Sequence, residues 1–255
     1  MLNWYRSQLK EHGAWAATRL LSQVVLSRGR TALVNRLLPQ KVECPCCGWT
    51  GRRFYDYIEI DFTGRNAECP RCNSHARHRA LYLWLKNDFQ LHERSGVALV
   101  FAPERALEEA WNQSGSLKLI RADLEAARGV DVLADLQRLP FASDSIDLLW
   151  CHHVLQLVQD DRAAMRELHR VLRPGTGRLI VSVAIARQTE TEEYDAAQKR
   201  VMNFWRMYGE DFAQRLREAG FEAHEVKHRL SPEECSRYSI DSSESFYLCV
   251  KPAYS

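Results

Sequence analysis

The 255 residues carry 35 Lys/Arg against 33 Asp/Glu, a formal net charge of +2, and 45% of them are hydrophobic. That suits one large soluble domain with a decorated end or two small ones, and no run of about 18 apolar residues is there to span a membrane. The N-terminus lacks an apolar core followed by a small-residue cleavage site, so a cytoplasmic protein is expected, with its eight cysteines reduced or metal-bound rather than in disulfides.

The charge is unevenly spread. Residues 1–40 hold six Lys/Arg and one acid, Glu11, for +5; residues 41–80 add +2, which leaves −5 for the remainder. The first 40 residues read as a basic amphipathic extension of two helices, with Trp4, Tyr5, Trp15, Leu20, Leu21, Val24, Val25 and Leu26, and with breaks at Gly29 and Pro39. A basic stretch with tryptophans can lie on an anionic membrane, which would make the protein peripheral to it. Packing over a cleft or against a second subunit is the preferred reading.

Residues 41–75 read as a metal ribbon. Cys44, Cys47, Cys69 and Cys72 form the pattern C-x2-C-x21-C-x2-C. Two residues between ligands let each turn aim both sulfurs at one tetrahedral ion, and zinc is the expected one. Four thiolates leave no open position, so the ion is expected to be structural. Cys46, between the first pair, is a bystander or an alternate for Cys47. The run His75, Arg77, His78, Arg79 follows at a predicted helix start. It is either an anion-holding turn or a solvated basic one.

From residue 76 onward the pattern alternates strand and helix, as in a parallel α/β sheet. The first strand is Val97–Phe101, followed by the loop Phe101-Ala102-Pro103-Glu104. The second, from Leu117, ends at Asp123, with Leu124 next to it. In doubly wound folds an acid about 20 residues beyond the first turn accepts both ribose hydroxyls of a nucleotide. Asp123, 22 residues after Phe101, occupies that place. A third strand ends at Asp135-Leu136. Leu139-Pro140-Phe141 and the turn at Ser143–Ser145 lead to an apolar fourth strand, from Ile146 through Cys151. His152 and His153 continue it and would point to opposite sides of the sheet. A helix with Asp160, Asp161 and Arg162 and the Pro174-Gly175 break precede a fifth strand, Leu179–Val183.

Asp131–Val183 closely resembles the second half of the class I S-adenosylmethionine (SAM)-dependent methyltransferase fold, in a type 11-like branch with the pattern D-x-x-x-LPF-x-D-x-SFD followed by RVLKPGG. The CPCCG, CP-x-C and basic RHR sequences together resemble bacterial methyltransferases with an N-terminal zinc ribbon. The resemblance covers roughly residues 42–251. It implies a Rossmann-like seven-stranded α/β sheet over residues 76–255, binding SAM and transferring its methyl group. It also implies that Asp135 accepts from the adenine amino group with Leu136 beside the ring, and that Phe101–Glu104 and Cys151-His152 line the cofactor.

Two departures stand out. The family's D-x-G-x-G loop is replaced by Phe101-Ala-Pro-Glu104, which lacks the glycines that take a left-handed backbone cheaply; Glu104 then becomes the candidate partner of the SAM ammonium. Gln156-Leu157 replaces a common Glu-His pair. Catalytic candidates are His152 and His153, with Tyr208, which falls in a family-like run from Arg206 to Phe212. The 184–211 stretch would build the acceptor pocket. An amphipathic helix from Phe212 to Gly220 and strands at Glu222–Lys227 and Ser245–Val250 would complete the sheet by a final hairpin. The expected acceptor is a small or membrane-associated metabolite. RNA or protein methylation through the ribbon, and a non-catalytic SAM- or partner-binding module, are the alternatives.

Overall fold

The computed structural model describes residues 2–60, 62–126, 129–186, 188–196, 198 and 204–253. The chain divides into two compact units. One gathers Met1–Asp88, Arg105–Glu109 and His228–Glu244; the other gathers Phe89–Glu104, Ala110–Lys227 and Ser245–Ser255.

In the first unit, helix α1 spans Leu2–Leu37 and is interrupted at Gly13 (φ 80°, ψ 167°). Only glycine takes that backbone without steric cost, so the break comes there. Gly29, the expected break, sits inside the helix, where nothing crowds it. Two antiparallel hairpins follow: β1 (Val42–Glu43) with β2 (Thr50–Gly51), and β3 (Tyr55–Ile58) with β4 (Thr63–Glu68). Helix α1 is fixed to them by polar side chains. Asn35 Oδ1 accepts from the Arg52 and Arg53 N–H groups at 2.8 and 2.9 Å, and Arg28 pairs with Glu68 at 2.7 Å.

Helix α2 (Ala76–Asn87) also belongs to this unit, whereas the sequence boundary was drawn at 75–76. It carries Arg79, which is fully buried. The guanidinium donates to the carbonyls of Ala67, Ser74, Tyr238 and Ser239 at 2.6–3.0 Å and lies 4.3 Å over the Phe54 ring. Arg79 is therefore neither solvated nor open to an anion; it is an internal tie, while His75 and Arg77 of the same run are half-buried.

The second unit is built on a seven-stranded sheet. Its strands are β5 (Ser95–Phe101), β6 (Ser116–Asp123), β7 (Val132–Leu133), β8 (Leu148–His152), β9 (Arg178–Ser182), β12 (Glu222–Lys227) and β13 (Ser245–Val250), in the order β12-β13-β9-β8-β5-β6-β7. Strands β7, β6, β5, β8 and β9 run parallel, and β13 is antiparallel to its neighbours β9 and β12. This is the expected α/β class and strand number. Strand β8 is buried along its whole length, as a central parallel strand must be.

Helix α4 (Asp161–Val171) starts where Asp160 Oδ1 accepts from the Ala163 N–H at 2.8 Å, and it buries Ala164, Met165 and Leu168 in the core. Helix α5 (Phe212–Glu218) ends before Gly220 (φ 99°) and buries Phe212 and Leu216 in the same core. Strands β12 and β13 pair antiparallel as expected, and between them the chain makes an excursion with helix α6 (Pro232–Tyr238). A short antiparallel pair, β10 (Glu192–Glu193) with β11 (Arg206–Met207), lies in the 184–211 stretch. Of that stretch, residues 187, 197 and 199–203 lie outside the described residues.

Candidate metal and cofactor sites

The two cysteine turns are built alike. The Gly48 N–H donates to Cys44 O at 2.9 Å and the Asn73 N–H donates to Cys69 O at 3.0 Å. Each turn closes on a left-handed residue, Gly48 (φ 68°) and Asn73 (φ 62°), the two residue types that tolerate it best. The Cys44 and Cys72 sulfurs lie 3.6 Å apart, as do those of Cys47 and Cys69, and all four fall within 4.8 Å of one another. Four Zn–S bonds of about 2.3 Å in a tetrahedron require sulfurs about 3.8 Å apart. Two of the pairs are close to that spacing, and the four thiols are near enough to one another to hold such an ion. Cys46 is outside the cluster, directed at His78 O at 3.8 Å.

In the sheet unit, the parallel strands β7, β6, β5 and β8 end side by side. Their carboxyl ends bring together Asp135, Asp123, the Phe101–Glu104 loop and Cys151–His153. Strand order reverses between β5 and β8, since the chain runs outward from β5 through β6 to β7 and then returns to β8. Open α/β sheets bind ligands at such a switch point.

Both strands flanking it end in a non-glycine residue with a left-handed backbone: Ala102 (φ 46°) after β5 and His153 (φ 54°) after β8. Each conformation costs about 1–2 kcal/mol for a residue with a Cβ. The missing glycines have therefore not prevented the turn; alanine takes it, held by its N–H donating to Ala122 O at 2.9 Å. His153 is held by its N–H on Ser182 O at 2.8 Å. Strand β8 stops at His152, so the two histidines do not alternate across the sheet. Their rings meet edge to face, 4.6 Å apart.

His152 is buried, and its Nδ1 lies 2.5 Å from Glu104 Oε2. Glu104, the candidate for the SAM ammonium, is thus engaged with an imidazole. Cys151 is fully buried, and burial pushes its thiol up to about 12, which leaves it inert packing. His153 Nδ1 lies 3.2 Å from the Gln156 amide nitrogen.

Asp123 is half-buried, and its Oδ1 accepts from the Glu125 N–H at 3.3 Å. Leu124 beside it is 70% exposed. Asp135 is exposed and closes an Asx turn, accepting from Gln137 N–H at 2.9 Å. Leu136 is buried within the core.

Tyr208 is not among the residues at the strand ends. It is 0% exposed, and its hydroxyl donates to Asp161 Oδ2 at 2.8 Å. Burial first, and then the Asp161 charge, hold that hydroxyl neutral, well above the ordinary phenol range. Arg206 donates to the carbonyls of Leu155, Val158 and Gln159 at 2.6–3.0 Å. It braces the loop that follows β8. Both residues had been pocket candidates, and both act as supports. Ser182, the ladder partner of His152 on β9, is buried at the same edge. Sequence reading passed over it, because a lone serine at a strand end carries no local signal.

Residues 96–181 match the family model described as the methyltransferase domain. "Methyltransferase GfsG" of Streptomyces halstedii is 44% identical over 57 residues, covering 22% of this chain and 20% of that protein. A demethylmenaquinone methyltransferase of Mycolicibacterium paratuberculosis is 42% identical over 73 residues, 28% of this chain and 31% of that protein. The chain thus spans less than a third of the length of either curated relative. Among solved structures, a Burkholderia thailandensis 1,6-didemethyltoxoflavin-N1-methyltransferase superposes with a TM-score of 0.50 at 18% identity, over 70% of this chain and 79% of that one.

Proposed function

We propose that this chain, which carries a class I methyltransferase domain, transfers the methyl group of SAM to a small or membrane-associated metabolite. The observation that carries the reading is the pair of left-handed non-glycine residues, Ala102 and His153, flanking the switch point with Asp123 at the next strand end. Backbone held in such conformations against its own preference concentrates at ligand sites.

SAM, when bound, supplies an electrophilic methyl group. Asp123 would accept from the ribose hydroxyls, with Leu124 covering the adjoining ring and Asp135 taking the adenine amino group. Phe101–Glu104 would line the rest of the cofactor. Glu104 holds the His152 imidazole in one orientation. An in-line displacement needs no nucleophile on the enzyme. Positioning and exclusion of water supply most of the rate, and a base helps only where the acceptor must lose a proton.

The four thiolates would hold zinc as a structural ion. Burial of Arg79 removes one of the two arginines from the segment that could have docked RNA, which favours a metabolite acceptor. The name of the demethylmenaquinone methyltransferase relative points to a quinone-like, lipid-soluble acceptor as the first class to test.

The test is calorimetric titration of the metal-loaded full-length protein with SAM, alongside Asp123→Ala. Micromolar binding, weakened about 100-fold by loss of two hydrogen bonds to a charged group, is expected. A wild-type protein that binds no SAM sinks the reading. Appearance of S-adenosylhomocysteine with quinol and phenol acceptors, but not with RNA, would select the acceptor class.

A further inference from the structure

Helix α1 has two apolar faces, and only one of them is used by the fold. Ala17, Leu20, Val24 and Thr31 are buried. Trp15, Leu26, Leu33 and Leu37 are 75%, 60%, 58% and 69% exposed. These four recur at three-, two- and one-turn spacings after the Gly13 interruption. At 3.6 residues per turn they fall within about 40° of one another, roughly opposite the buried set.

The charged helix residues bordering this outward stripe are all basic, interspersed with the exposed Thr18, Ser22 and Gln23. Arg19 and Arg30 flank one side and Arg36 the other, each exposed, and Arg19 lies 5.4 Å over the Trp15 ring. The remaining arginine of α1 after Gly13, Arg28, is turned inward to Glu68. No acid occurs between Glu11 and Glu43. Among the described residues no helix is long and apolar enough to cross a membrane.

We infer that this face of α1 docks on an anionic lipid surface, with the stripe in the acyl boundary and the three arginines at the headgroups. An apolar strip with a tryptophan, rimmed by arginine and free of acid, is the pattern of a helix lying in the interface plane. A second copy is the poorer occupant. A two-fold pairing of the same face would bring arginine rims together with no acid to compensate. The inference is independent of the acceptor and of SAM, because binding is read without either.

The experiment is co-sedimentation of the metal-loaded full-length protein with vesicles of phosphatidylcholine alone, or mixed with phosphatidylglycerol. Binding to the mixed vesicles only is expected, weakening as salt is added. Arg30→Gln and Arg36→Gln should each lower the binding constant about five-fold, and Leu33→Ser more than ten-fold. All three positions are exposed, and an unchanged near-ultraviolet circular dichroism spectrum checks that the fold persists. The inference is overturned by equal binding to neutral vesicles, by no binding, or by variants that bind like wild type. It is also overturned by a solution dimer that Leu33→Ser dissociates.

Discussion

The two units hold themselves together by different means. The sheet unit has a continuous apolar core, with β8 buried along its length and α4 and α5 closing over it. The ribbon unit has short hairpins and depends on four thiolates, one buried guanidinium and a few amide side chains. An apolar core loses stability a little with each deletion. A unit held by a few polar centres loses most of it when one centre goes.

Four measurements would break or sharpen that contrast. Removing the metal should have the largest effect, since structural zinc contributes on the order of 10 kcal/mol to small ribbons. Chelation or Cys69→Ser should abolish the transition of the ribbon unit in scanning calorimetry while the sheet transition survives. A single unchanged transition would show that the thiolates hold nothing.

Arg79→Met comes next. It leaves four carbonyls without their donor and should cost about 3–5 kcal/mol. Hydrogen exchange should report it as lost protection over 228–244. Arg79→Lys should recover little, because an ammonium cannot span the four acceptors. Full recovery by lysine would mean that charge alone matters there.

Ala102→Gly tests the strained tip of the sheet unit. Glycine relieves about 1–2 kcal/mol of left-handed strain but adds about 0.5–1 kcal/mol of unfolded-chain entropy. The variant should therefore be neutral or stabilised by up to about 1 kcal/mol in denaturant unfolding, where most substitutions destabilise. A clear loss would refute the assigned backbone.

The smallest effect is a pH slope. His169 packs edge to face on Phe221, and burial, then the Lys251 charge, hold its imidazole below the ordinary 6.5. The unfolded chain then binds that proton more readily than the folded one. This contribution is full above pH 6.5 and falls as pH drops through the folded value. His169→Gln should flatten the stability profile of the sheet unit in that window, and an unaltered slope would assign it to another group.

What could be read in advance follows the same division. The succession of strands along the chain, Asp123 at a strand end and the paired cysteine turns were legible, because they rest on periodicity, short spacing and a family-like pattern. Arg79 was misread as a surface cation. Its partners Tyr238 and Ser239 lie 159 and 160 residues away, and nothing local announces them. The helix break was expected at Gly29 and falls at Gly13, because only packing decides which glycine leaves the helix. Tyr208 and Arg206 sat in a family-like run that turned out to brace the wall. Their buried partner, Asp161, read as an ordinary first-turn acid.

The distant partners of Arg79 also set a timetable. Residues 1–88 are synthesised well before Tyr238 and Ser239, and their guanidinium tie waits for those two residues. At about 5–20 residues per second, synthesis delays that closure by roughly ten to thirty seconds. During that interval the N-terminal unit is an unfinished intermediate, with Arg79 and the Phe54 ring beneath it still accessible. A fragment ending near residue 90 would stay in that state permanently. A segment made late thus completes a unit whose other residues were made long before.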